Sequence, residues 1–134
     1  NAPDSHAQYH RITIWIRRGL FWGLLAAILY VTLVPTPPAD PTGAGDKVEH
    51  ALAFAGLTLA FAFAYPRLRW WQLGLLMLAA GGAVELLQGA MAVGRTADWY
   101  DWQADAIGVA AVLIILPIFR HLYWWLHGLL RLPE

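Results

Sequence analysis

The sequence predicts an all-α fold: a four-transmembrane-helix bundle with both termini cytoplasmic and an amphipathic interfacial segment at each end. Three observations predict it. The 134 residues are 59% hydrophobic and only 13% charged, with a mean hydropathy of +0.49, whereas globular domains carry roughly 25% charge. Four apolar runs, most of them near the roughly 20 residues that cross a bilayer, are divided by proline, glycine and charged stretches. The basic residues fall unequally on the connecting segments, as a fixed membrane orientation demands.

Taken in order, residues 1–18 form an N-terminal segment. Asn1–His10 is polar and reads as irregular; RITIWIRR (11–18) mixes cations with Ile and Trp and reads as a helix on the membrane surface. The four-helix domain spans 19–119. Its first span, about Gly19 to Val34, reads as a retained helix rather than a signal peptide, because the run is long and more spans follow. PTPPADPTG breaks it with four prolines and a glycine. The second span, about Asp46 to Tyr65, opens on charge, continues in Ala, Leu and Phe, and stops at Pro66. The third, about Trp70 to Met91, has the small-residue centre Ala79-Ala80-Gly81-Gly82-Ala83, which lets backbones approach where lipid supplies no hydrophobic drive. The fourth, about Trp99 to Phe119, carries a second small pair, Ala104 and Gly108, and Pro117 near its end. Residues 120–134 are aromatic and cationic and read as an interfacial tail.

Seven basic residues (Arg11, Arg17, Arg18, Arg67, Arg69, Arg120, Arg131) lie on one side of a four-span arrangement, and only Lys47 and Arg95 on the other. The first side is then cytoplasmic, in the inner membrane of a bacterium. Asp40, Asp46, Glu49, Glu85, Asp98, Asp101 and Asp105 all fall toward the outer side. Glu85, fifteen residues beyond Trp70, sits about 22 Å along its helix, in the outer half of a hydrocarbon core about 30 Å thick.

Ionisable residues within spans are costly and mark functional sites by default. Asp46 and His50 are i,i+4; Glu85 and Gln88 are i,i+3; Asp98, Asp101 and Asp105 form one stripe at i, i+3, i+7. Three helices therefore present polar faces to one outward-facing vestibule. The ligand-binding candidates are Asp46, Lys47, His50, Glu85, Gln88, Arg95, Asp101 and Asp105. Glu85, His50 and Asp105 are the candidates for catalysis, if any occurs. Several have structural roles to weigh against this. Asp46 suits a helix N-cap, Gln88 an interhelical hydrogen bond, Arg95 the neutralisation of the acids, and Asp98 a loop acid or cap. Asp101 and Asp105 offer oxygen ligands for a hard divalent cation, with Glu85 and His50 as further donors. One helix supplies too few ligands, and no metal site is assigned.

These motifs resemble the VanZ-like family of small bacterial membrane proteins. The resemblance covers about Thr32 to Phe119. It rests on D-K-x-x-H (Asp46, Lys47, His50) followed by Phe54, E-x-x-Q (Glu85, Gln88), and then Arg95 with D-x-x-x-[ND]-x-x-G (Asp101, Asp105, Gly108). The chain has Asp105 where many members have Asn. The resemblance implies an envelope location, a tie to cell-wall or lipid chemistry, and kinship with a protein linked to teicoplanin resistance.

Zero net charge leaves no basic excess for nucleic acid, and the absence of cysteine excludes disulfides and thiolate chemistry. No G-x-S-x-G, P-loop, zincin or Rossmann signature occurs. Two functions are expected. In one, the vestibule binds an amphiphile such as a lipid or cell-wall precursor through its anionic headgroup, with the bilayer as the surrounding partner. In the other, the chain is a non-enzymatic accessory subunit of a larger membrane complex. A transporter is a weaker third reading, since four helices are few for alternating access.

Overall fold

The computed structural model describes residues 5–34, 45–91 and 97–130, with side chains over 11–34, 45–91 and 97–122. The described residues form four α-helices: α1 (Ser5–Leu33), α2 (Asp46–Ala64), α3 (Trp70–Met91) and α4 (Trp99–Leu130). Each contains a stretch long and apolar enough to cross a membrane: Arg11–Leu33, Asp46–Ala64, Trp70–Met91 and Trp99–Leu122.

Helix starts follow local chemistry. Gly45 precedes α2 at φ 91°, a left-handed conformation that glycine adopts without a Cβ penalty. Its carbonyl accepts the amides of Val48 (3.1 Å) and Glu49 (3.3 Å). Asp46 is thus the first helical residue and not the N-cap expected of it; with Glu49 it places acid in the first turn, where the helix dipole favours negative charge. At α3 the Gln72 side chain accepts the Arg69 amide at 2.9 Å, half of a capping box. At α4 Asp98 is the cap: its carboxylate accepts the Tyr100 amide at 2.8 Å. Pro66 ends α2, as expected, just after the Tyr65 amide closes the last turn on the Phe61 carbonyl at 2.9 Å.

Two helices outrun the sequence reading. α1 begins at Ser5, so Ser5–His10 is helical where an irregular lead was expected, and no break separates the cationic segment from the span. α4 continues through Pro117 to Leu130 rather than ending at Phe119. A proline removes one helical hydrogen bond, and the Ile and Leu on both sides carry the helix past it.

α2 is the central helix. It touches the other three, most extensively α4, while α1 and α4 do not meet among the described residues. Start lies against start in the α2–α4 pair, so these helices run in the same direction. Gly108 sets their separation: a Cβ there would run into the Ala51 carbonyl oxygen and lie 3.0 Å from the Ala55 nitrogen. This is the small-residue contact expected of the Ala104/Gly108 pair. The core below it consists of Phe21, Phe54, Leu57, Ala64, Met77 and Val109. At the opposite end from Asp46, Phe21 stacks on Phe61 (centroids 4.8 Å apart), the Trp22 indole donates to the Tyr65 hydroxyl at 3.0 Å, and the Arg18 guanidinium lies 5.1 Å from the Tyr65 ring. Large apolar residues such as Trp15, Leu20, Leu75, Leu86 and Ile114 are exposed, which suits a hydrocarbon surround.

Candidate functional site

The first turns of α2 and α4 and the last turns of α3 bring the polar residues to one end of the bundle. In α2, Asp46, Lys47 and His50 share neighbouring faces. Asp98, the cap of α4, and Asp101 and Asp105 within α4 face them. The His50 Nδ1 lies 3.0 Å from the Asp105 Oδ1, a hydrogen bond between a largely buried imidazole and a carboxylate whose residue is 1% exposed. The His50 Nε2 faces outward, 3.8 Å from Asp101 Oδ2 and 3.9 Å from Asp46 Oδ1.

Lys47 is held by α4. Its ammonium donates to Asp98 at 2.6 Å and also to Asp101, with Asp46 at 3.8 Å. The ammonium beside it, and the Tyr100 amide, hold the Asp98 carboxyl below the usual aspartate range. Lys47 remains half exposed, so water and salt screen these pairs and each contributes little to stability.

Glu85 enters from α3 and is 6% exposed. Its Oε2 accepts the backbone amide of Asp98 at 2.8 Å, tying the end of α3 to the cap of α4. Its Oε1 is buried and has no hydrogen-bond partner among the described residues, and the same holds for Asp105 Oδ2. Four residues before Glu85, Gly81 makes room for Asp105: a Cβ there would sit 2.9 Å from Asp105 Oδ2 and 3.3 Å from the Phe54 ring. Donor atoms of His50, Glu85 and Asp105 lie within 4.8 Å of one another, as do those of Asp46, His50 and Asp101. The cluster thus has an open outer part and a closed inner part.

Of the eight candidates, the structure brings together Asp46, Lys47, His50, Glu85, Asp101 and Asp105. Gln88 points elsewhere. Its amide donates to the Thr32 carbonyl at 2.8 Å and fastens α1, which is the structural role weighed for it. Arg95 lies outside the described residues. Asp98, expected as a loop acid or cap and as part of the acidic stripe with Asp101 and Asp105, both caps α4 and holds Lys47. One participant was missed: Gly81 was read only as a packing residue. Its place opposite Asp105 depends on how α3 is rotated, which spacing within α3 does not encode.

The fold and the site define an all-helical, multi-pass membrane protein with a buried acid–imidazole cluster near one end of the bundle. The chain matches no protein-family model, no curated protein and no solved structure.

Proposed function

We propose that the chain is a VanZ-like protein of the bacterial inner membrane that binds the anionic headgroup of an amphiphile at the outer end of its bundle. The observation that carries this reading is the convergence of Asp46, Lys47, His50, Asp101 and Asp105 from two helices at one end, open to solvent outside and closed inside. A cluster that served only to lock helices would not need ionisable groups, since neutral interhelical hydrogen bonds suffice in a bilayer. The positive-inside count supports placing this end outside the cell and both termini within.

The way an anion would be held differs from the simplest expectation. Lys47 is not a free anion contact, because Asp98 and Asp101 already engage it. The described cluster is richer in carboxylates than in cations, so a phosphate or carboxylate headgroup needs Arg95 or a bound cation beside it. The test is binding of short-chain phosphatidylglycerol to the purified protein, followed by Trp fluorescence. His50→Ala and Arg95→Ala should each weaken it severalfold or more, and Asp101→Asn, which removes a negative charge and a partner of Lys47, should strengthen it, with helix content unchanged in all three. Unaltered affinity in all three would defeat the proposal. Purification in mild detergent tests the accessory-subunit reading: a stoichiometric membrane partner would favour it.

A further inference from the structure

We infer that His50, Glu85 and Asp105 form a binding site for one divalent transition-metal cation of the zinc type. Three independent features converge on it. The first is composition: one imidazole nitrogen and two carboxylate oxygens are the donor set that such ions take, typically as three protein ligands with a further position left open. The second is geometry. The donor atoms lie within 4.8 Å of one another, and the His50 Nδ1 to Asp105 Oδ1 distance is 3.0 Å. Ligands about 2.0–2.1 Å from a tetrahedral zinc ion stand roughly 3.3 Å apart, so the donors lie within about 1.5 Å of that spacing.

The third is the state of the oxygens. Glu85 Oε1 and Asp105 Oδ2 are buried and lack any hydrogen-bond partner among the described residues, on side chains of residues 6% and 1% exposed. Leaving a buried carboxylate oxygen unmatched is costly, and native structures avoid it unless an ion or water completes the site. Two carboxylates balance the charge of a divalent ion, whereas one imidazolium would balance only one of them. Gly81 lets Asp105 lie close against α3, since a Cβ there would stand 2.9 Å from Asp105 Oδ2.

The surroundings fit this assignment. With Nδ1 on the metal, the ring proton of His50 resides on Nε2, which faces Asp101 at 3.8 Å and Asp46 at 3.9 Å. A metal-bound histidine normally turns its other N–H toward a carboxylate, which fixes the ring and raises its basicity. Asp101 is the nearer carboxylate, beyond direct hydrogen-bond range at 3.8 Å, and acts on the ring through its charge. The ion would displace the proton shared by His50 and Asp105, so affinity falls as pH falls. Its presence does not depend on the headgroup reading; only its use as a bridge to an anionic headgroup rests on that reading.

The experiment uses the full chain in detergent free of phospholipid. After chelation, the protein is titrated with Zn2+ and separately with Co2+, and bound metal is counted. One ion per chain is expected, with the absorption bands of four-coordinate Co2+ bound by nitrogen and oxygen. Glu85→Gln and Asp105→Asn should abolish stoichiometric binding. Asp101→Asn should weaken it by no more than about 10-fold, below the range for a hydrogen-bonded partner, and His121→Ala, an exposed histidine at the other end of α4, should leave it unchanged. No stoichiometric metal on the folded wild type, or equal binding by both carboxylate variants, overturns the inference. If those variants do not fold, the wild-type Co2+ spectrum decides: weak six-coordinate bands overturn it and intense four-coordinate bands support it. Adding phosphatidylglycerol afterward tests the bridge alone, because metal binding without any lipid effect leaves the metal site standing and removes only the ion's role in holding the headgroup.

Discussion

Asp98 shows how much one side chain can do at the membrane edge. It caps α4, gives its amide to Glu85 and accepts from Lys47. Because its folded-state pKa lies below the ordinary value, the stability it contributes is present at neutral pH and is lost as pH falls through and below the usual aspartate range. Asp98→Asn keeps the cap, since Asn is an equally good N-cap, but removes the charge. The variant's melting temperature should therefore fall less steeply than the wild type's between about pH 5 and pH 3; parallel curves would refute the assignment. Gly108 makes the opposite kind of contribution, through absence. A methyl group at this position meets the backbone of Ala51, which cannot rotate away. Gly108→Ala should cost about 1–3 kcal/mol in reversible detergent unfolding, the usual penalty for overpacking.

Among the helices, the tightest association is between two that are not consecutive. α2 and α4 meet because Gly108 admits the Ala51 backbone and because Lys47 and His50 find acids across the gap. α1 is fastened differently, by Gln88 to the Thr32 carbonyl at one end and by the Trp22–Tyr65 hydrogen bond at the other. The Thr32 carbonyl belongs to the last turn of α1, where helical carbonyls lack helical partners, so Gln88 meets an existing need. Gln88→Leu should lower stability by about 0.6 kcal/mol and no more than about 1.7, the range found for interhelical bonds in membranes. Limited proteolysis should find the α1–α2 connection cut faster in the variant. Metal binding should survive in Gln88→Leu, because Gln88 is not in the acid–imidazole cluster.

Across the whole molecule, charge is sorted end to end. Arg18 stacks on Tyr65 at the end where Arg67 and Arg69 join α2 to α3, while the described acids of the site gather at the other. The chain contains no cysteine, so single-cysteine variants report topology without background. Tyr100→Cys, at an exposed position beside the α4 cap, should react with a membrane-impermeant maleimide added to intact spheroplasts, and Arg67→Cys should react only after lysis. The reverse pattern would invert the orientation and place the acid cluster in the cytoplasm.

Much of this architecture was legible from residue order. Four helices among the described residues, the stop at Pro66, and the assembly of polar residues at one end all follow from hydropathy and alternation of spans. Both are local sums that need no partner. Asp46, Lys47 and His50 were identifiable as one face because helical spacing is itself local. The partners were not. That His50 meets Asp105, that Lys47 is already spent on Asp98 and Asp101, and that Glu85 spends one oxygen on a backbone amide depend on the rotation of each helix about its axis. Close contacts such as Gly108 on Ala51 and Gly81 beside Asp105 set that rotation. By itself, then, the sequence determined an α-helical membrane chain with seven of its nine acids gathered toward one end, because length, hydropathy and charge order act within single helices. Only the tertiary structure decided which acid faces which base and which oxygens of Glu85 and Asp105 lack a hydrogen-bond partner among the described residues, because those outcomes are set by packing between helices.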